Sequence, residues 1–385
     1  MLRPFSLLTT SLLFSSVVYA VSSPTPNPPE LSAKGYVLMD FHTGEVLVEK
    51  NANERLNPAS LTKLMTSYVA GKEMEHGNIS MGDQVRISKN AWARNFPDSS
   101  KMFIEVGKDV ALEDLYRGMI IQSGNDASVA IAEHVAGSEV SFVDLMNSWA
   151  DKLGMHNSSF ANPHGLDAAG LYSTPYDIAL LSQAIINDLP DIYPMYSERS
   201  FTYNGITQPN RNRLLSNRSL NVDGMKTGYT SAAGYSLVSS ATEGDMRLIS
   251  VVMGTSSPQA RESESAHLMR YGFRFFETIQ PHSQGDKVLS QRVYMGKSEN
   301  VELGVSEDVF LTIKRSDKRH FSAQVEVDDK IKAPINKGDE VGSLVYRIGE
   351  EEIHRVPMVA MEEVAQGGIF RRLIDWVKLL ISSFI

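Results

Sequence analysis

Three short motifs stand in one order along the chain: Ser60-Leu61-Thr62-Lys63, Ser123-Gly124-Asn125 and Lys226-Thr227-Gly228. Each alone occurs by chance in many proteins, usually as solvated helix or turn. The ordered triple supplies the parts of a serine acyl-transfer site that has no histidine. To act together, a helix start, a loop between helices and a strand must meet at one point.

The residue types suit that chemistry. A serine hydroxyl is a poor nucleophile until something takes its proton. Lys63 follows Ser60 by three residues, so on a helix its amine lies one turn along and within reach. A lysine acts as a base only when burial or a second cation depresses its pKa. Lys226 is the candidate second cation. Ser123 can relay a proton and Asn125 can bond a substrate amide. Gly228 has no side chain, which lets a substrate backbone approach its strand.

Asn57 reads as a helix N-cap and Pro58 as the first helical residue. Leu61, Leu64, Met65, Tyr68 and Val69 then follow the spacing of a buried stripe. On this reading Ser60 lies in the first helical turn, where the positive end of the dipole favours an anionic intermediate.

Tyr36–Asp40 and Glu45–Glu49 read as a hairpin around His42-Thr43-Gly44. Helical patterns follow at 112–121, 127–135, 139–153 and 175–187, and Ser123-Gly124-Asn125 falls between two of them. Strand patterns resume at 222–229, 235–240 and 247–253. Two strands before a helical block and three after it predict one antiparallel sheet closed by both ends of a domain, with a helix over 259–276 covering it. The fold class is α+β, with the catalytic domain over 35–280. A linker is expected over 280–286. Residues 287–362 carry alternating runs, such as Val309-Leu311-Ile313 and Phe321-Ala323-Val325-Val327, and read as a small all-β spacer or interaction domain.

Gly367-Gly368 precedes a distinct tail, 367–385. Phe370, Leu373, Ile374, Val377, Leu380, Ile381 and Phe384 share one helical face. Arg371, Arg372, Asp375, Lys378 and Ser382 share the other. The tail is too short and too charged to span a bilayer. It fits an in-plane anchor on anionic lipid, detached from the domains by the Gly-Gly joint.

At the other end, residues 1–20 read as a secretory signal peptide, with Arg3, an apolar stretch and Val18-Tyr19-Ala20. A Pro-rich segment, 21–34, follows. The chain has no cysteine, which excludes disulfides and a thiol nucleophile. Its net charge of −9 disfavours a nucleic-acid partner. The nine histidines show no metal-ligand spacing, and there is no Gly-rich phosphate loop, so neither metal nor cofactor is expected.

These residues resemble the low-molecular-weight penicillin-binding proteins, the periplasmic D-alanyl-D-alanine carboxypeptidases. The resemblance extends to Asn57-Pro58-Ala59, His164-Gly165-Leu166-Asp167, Asn210-Arg211-Asn212, the β-rich domain and the terminal helix. It implies a penicillin-binding transpeptidase-type domain with a five-stranded sheet and a helical cluster. It implies that Ser60 is acylated by the penultimate D-alanine of a peptidoglycan stem pentapeptide, that D-alanine leaves, and that water hydrolyses the ester. β-Lactam antibiotics would acylate the same serine. It makes Arg261 the holder of the substrate's terminal carboxylate, and Ser60 and Tyr229 the backbone oxyanion donors. Lys226, Thr227 and Gly228 would line the substrate. Many relatives have histidine where this chain has Tyr229. The implied location is the bacterial periplasm, on the outer face of the inner membrane. A β-lactamase would share the motifs, but no Glu-x-x-Leu-Asn loop is present. The motifs are also compatible with an endopeptidase on the same scaffold, or with a weakly active penicillin-binding protein of cell-shape control.

Overall fold

A computed structural model describes residues 25–382. The signal-peptide reading lies outside the described residues. In chain order the first unit comprises β1 (Gly35–Asp40), β2 (Val46–Lys50), α1 (Thr62–Glu75), β3 (Gln84–Arg86), β4 (Asp109–Ala111), α2 (Leu112–Ile120), α3 (Asn125–Ala136), α4 (Glu139–Lys152), α5 (Pro175–Asp188), β5 (Ser200–Tyr203), β6 (Ile206–Pro209), β7 (Asn221–Thr230), β8 (Gly234–Glu243), β9 (Met246–Thr255) and α6 (Pro258–Phe275). The main sheet runs β2-β1-β9-β8-β7, antiparallel throughout. Both ends of the unit therefore close one sheet, as the split strand pattern predicts.

The sheet is covered on both faces. Val37 and Met39 of β1 join the core under α1–α5, while Tyr36 and Leu38 join the core under α6. Every residue of β1 is buried, so the strand reads as a continuous apolar run rather than an alternation. The apolar stripe expected for α1 is buried, and so is every other residue from Thr62 to Gly71. The helix runs through the middle of the unit instead of lying on its surface.

The start of that helix differs from the expected cap. Ala59–Leu61 is a separate 3-10 turn, and α1 begins at Thr62. Asn57 does not cap α1; its Oδ1 accepts the N–H of Ala59 at 2.8 Å, a local turn. Ser60 thus stands just ahead of α1, at the corner between two helical geometries.

The second unit has β10 (Phe276–His282), β11 (Lys287–Arg292), β12 (Asn300–Gly304), β13 (Val309–Lys314), β14 (Phe321–Val327), β15 (Glu340–Ile348) and β16 (Glu351–Ala360). Strands β11-β12-β16-β15-β14 form one sheet and β10-β13 another, around Val301, Leu303, Leu311, Tyr346 and Met358. The expected linker is strand over its first three residues: β10 runs to His282 and pairs with β13, leaving Ser283–Asp286 as a turn. Thr278, Ile279 and Gln280 carry the alternation, but Pro281 and Gly285 give the segment a loop-like composition.

The tail forms α7 (Ile369–Ser382), and the Gly-Gly joint does not free it. Gly367 N–H donates to Met295 O at 2.8 Å. Asp375, 5% exposed, accepts the N–H of Met295 at 2.7 Å, and Arg371 pairs with Glu299 at 3.5 Å. These contacts seat the polar face of α7 on the β-rich unit. Phe370, Leu373, Ile374, Val377, Leu380 and Ile381 are exposed. No helix of the described residues is long and apolar enough to cross a membrane.

Candidate active site

The three motifs meet at a cleft of about 410 Å³ between the helical cluster and β7. Its lining includes Ser60, Ser123, Thr227, Gly228, Tyr229 and Arg261. A larger cavity, about 820 Å³, lies between the β1–β2 turn and the second unit and contains none of the motif residues.

Ser60 is half-buried in the 3-10 turn. One turn into the helical run, Lys63 is 2% exposed. Its Nζ donates to Asn125 Oδ1 at 2.7 Å and the His164 carbonyl at 2.5 Å, and lies 3.1 Å from Ser60 Oγ. Burial pushes the Lys63 amine down to about 7; Asp126 opposes the change and Arg211 adds to it. From the sequence, Lys226 is the expected second cation. Arg211 also weighs on Lys63, and the two buried lysines each disfavour the other's charge.

Lys226 points from β7 into the opposite wall. It donates to Ser123 Oγ at 2.8 Å and to the carbonyl of Thr227 at 3.1 Å. Burial pushes its pKa well below the ordinary lysine value, and Lys63, Arg211 and Arg261 add to the effect. Each motif lysine therefore holds one motif serine. Asn125, the first residue of α3, links the two halves: Oδ1 accepts from Lys63, and Nδ2 donates to Ser99 Oγ at 2.8 Å.

Four supporting residues carry no role that the motifs alone reveal. Asp126 is buried and accepts the N–H groups of Met102, Phe103, Ile104 and Ala127. It ties the 99–104 segment, which carries Ser99, to the start of α3. Arg211 Nε donates to Gln122 O at 3.1 Å, bracing the loop just before Ser123. The imidazole of His164 is pushed down to about 3 by burial and by Lys63, so it stays neutral. Ser99 itself completes the set. The signals visible in the sequence are the adjacency of Asp126 to Ser123-Gly124-Asn125 and the place of Arg211 between two asparagines.

Two glycines fix how closely the walls approach. Gly165, at φ +85°, sits against the carbonyl of Ala59; a Cβ there would lie 1.9 Å from that oxygen. A Cβ on Gly228 would lie 2.9 Å from Pro58 O and 3.4 Å from Ala59 Cβ. The missing side chain of Gly228 lets β7 approach the Ser60 turn, a different role from admitting a substrate backbone.

Arg261 lies in the first turn of α6, 8% exposed. Its Nη1 donates to Gly228 O at 3.3 Å, and its Nε has no hydrogen-bond partner. Tyr229 is 52% exposed and stacks on Tyr235 with ring centroids 4.3 Å apart. Among the described residues no cluster of His, Asp and Glu could hold a metal ion.

Residues 22–257 match the peptidase S11 family, described as D-alanyl-D-alanine carboxypeptidase. The chain belongs to that family. Residues 276–366 match the C-terminal domain of penicillin-binding protein 5. The chain is 46% identical over 371 residues to D-alanyl-D-alanine carboxypeptidase DacC of Escherichia coli K12, covering 95% of this chain and 92% of that one. Identity to DacA of the same organism is 45% over 383 residues, with 97% and 95% covered. The crystal structure of penicillin binding protein 5 from Haemophilus influenzae superposes with a TM-score of 0.84 at 46% identity, covering 89% of this chain and all of that one. The α+β catalytic unit, the all-β second unit and the serine-hydrolase reading stand on these likenesses, and a β-lactamase reading does not share them.

Proposed function

We propose that this carboxypeptidase removes the terminal D-alanine of peptidoglycan stem pentapeptides through an acyl-ester on Ser60, and that penicillins acylate the same oxygen. The observation that carries the assignment is the buried Lys63 amine 3.1 Å from the Ser60 hydroxyl. A neutral lysine has two N–H donors and one lone pair. Its two shorter contacts, to Asn125 Oδ1 and His164 O, take the two protons. The lone pair is left for the third and longest, to Ser60.

Lys63 then accepts the hydroxyl proton as Ser60 Oγ bonds to the carbonyl carbon of the penultimate D-alanine. The N–H groups of Ser60 and Tyr229 hold the oxyanion. The C–N bond breaks and the leaving amine takes a proton through Ser123, which Lys226 contacts at 2.8 Å. Water then adds to the ester carbonyl and gives a proton to the Lys63 amine, which returns it to Ser60 Oγ as the ester bond breaks. Arg261, which lines the cleft, meets the departing D-alanine's carboxylate. Asn125 bonds the peptide amide, and Thr227 lines the strand on which the substrate lies.

The exposed face of α7 rests on the anionic outer surface of the inner membrane. Arg371 and Asp375 are engaged by Glu299 and the Met295 N–H, while Arg372 and Lys378 are exposed. Their charge complements anionic headgroups, and the apolar side chains partition at the acyl boundary. On this reading the enzyme works in the bacterial periplasm.

The deciding experiment is Ser60→Ala. The variant folds, but it forms no denaturation-stable adduct with a fluorescent penicillin and releases no D-alanine from a pentapeptide. An adduct that persists in Ser60→Ala overturns the assignment.

A further inference from the structure

Arg261 is held loosely for a group that must meet a carboxylate in one orientation. Its hydrogen bonding among protein groups is one long bond, 3.3 Å, from Nη1 to Gly228 O, and its Nε is unpartnered. A guanidinium on a long stem needs a second constraint to keep its plane. The ring of Tyr235 supplies a surface for it, with the guanidinium carbon 5.6 Å from the ring centroid. Tyr235 is in turn covered by Tyr229, its directly opposed partner in the β7–β8 pairing, at 4.3 Å and an interplanar angle of 24°. The order is Tyr229, Tyr235, Arg261, and all three line the cleft that holds Ser60.

We propose that the Tyr229–Tyr235 stack is the positioning element for Arg261, and that residue 229 sets how strongly the leaving group's carboxylate is recognised. This rests on the reading of Arg261 as the carboxylate anchor. Cation–π contact favours one placement of the guanidinium over the ring, and aromatic stacking favours one placement of the ring. A side chain directly after Lys226-Thr227-Gly228 thereby acts on substrate affinity through two ring contacts, while its backbone N–H serves the oxyanion.

The test compares two ligands on the full chain: a peptide ending in D-Ala-D-Ala with a free carboxylate, and a penicillin ester without one. Tyr235→Leu raises the KM for the peptide about tenfold, with kcat and the rate of acylation by the ester both within about twofold of wild type. Tyr229→Leu raises the KM for the peptide by a smaller factor than Tyr235→Leu, and Tyr229→Phe, which keeps the ring, restores it. Tyr235→Phe, which keeps the ring, restores the wild-type KM. Arg261→Ala serves as the reference. If Arg261→Ala separates the two ligands and Tyr235→Leu does not, the positioning proposal fails alone. If Arg261→Ala slows both ligands equally, the anchor reading fails and the proposal with it. Equal losses for both ligands in Tyr235→Leu mark the stack as ordinary packing and also overturn it.

Discussion

Lys63→Met separates the chemistry of the site from its cost to stability. The methionine keeps most of the stem and removes the amine. In the wild-type protein the amine is 2% exposed and its pKa falls from 10.5 to about 7, first through burial. Below about pH 7 the lysine is protonated in both folded and unfolded chains, and the folded state bears the full cost of a buried ammonium. Above it the folded protein releases the proton, whereas the unfolded chain keeps it until about pH 10.5. The unfolded state then binds more protons, so stability rises with pH across that window. Each pH unit within it adds about 1.4 kcal/mol. Between about pH 7, where half of the amines are already neutral, and pH 9 the gain is therefore about 2 kcal/mol. Lys63→Met lacks the gain; removing Lys63 also raises the pKa of Lys226, which shrinks that lysine's own gain in the variant, so the figure is a lower bound on the difference.

The assay is urea unfolding of both proteins at the two pH values, followed by tryptophan fluorescence. The hydrogen bonds lost at Ser60, Asn125 and His164 lower the variant's stability at both values and cancel in the comparison. The variant's stability relative to wild type is expected to be better at the lower pH by about 2 kcal/mol or more. The acylation rate of wild-type enzyme by a penicillin should rise with pH over the same range, with an apparent pKa of about 7, because only the neutral amine takes the Ser60 proton. His164 does not titrate there. An unchanged stability difference at the two pH values, or an acylation rate flat from about pH 6 to pH 9, refutes the neutral-lysine argument.

Four further outcomes are expected. Lys63→Arg keeps the charge but cannot lose its proton, so acylation should fall by at least about a hundredfold in a penicillin-labelling time course. Gly228→Ala must part β7 from the Ser60 turn, because its Cβ would meet Pro58 O at 2.9 Å; acylation should slow, and urea unfolding should show a loss of about 1–3 kcal/mol. Asp126→Asn leaves part of four backbone N–H groups unsatisfied, and thermal unfolding should report a loss of about 2 kcal/mol or more, with slower acylation as Ser99 and Asn125 loosen. A stop after Gln366 should yield a fully active enzyme that no longer sediments with anionic liposomes; pelleting of the truncated form would place the anchor elsewhere.

What the sequence makes legible are patterns carried by residue identity. The motif triple names Ser60, Lys63, Ser123, Asn125 and Lys226, and all five meet at one cleft. The strands on either side of the helical block predict the β2-β1-β9-β8-β7 sheet. Groups whose role depends on the backbone are hidden. The carbonyl of His164, which receives a Lys63 proton, could belong to any residue type. Asp126 looks like an ordinary first-turn carboxylate until the 99–104 segment is seen folded over it. The end of the second unit's first strand, Gln280–His282, reads as linker because Pro281 and the nearby Gly285 give it a loop-like composition. The tail pattern shows the two faces of α7, but the N–H of Met295 that seats Asp375 lies far away in sequence.

Two departures from local rules lie beside the cleft. Ala59 and Ser123 are non-glycine residues at φ +47° and +61°, one directly before the nucleophile and one inside the second motif. Such conformations cost about 1–2 kcal/mol each and persist only where surroundings enforce them. The enforcing contacts are visible. Asn57 Oδ1 grips the N–H of Ala59, and Gly165 and Gly228 close on that residue from two sides. Lys226 holds the Ser123 hydroxyl, and Arg211 holds the carbonyl of the preceding Gln122. The helix expected to begin at Pro58 fails to do so for the same reason. A regular first turn follows local preference, whereas here Asn57, Gly165 and Gly228 hold the Ser60 turn as a separate corner beside the buried Lys63 amine. The misplaced helix start and the placement of Ser60 are one fact: local propensity gives way where close contacts with other elements fix the backbone.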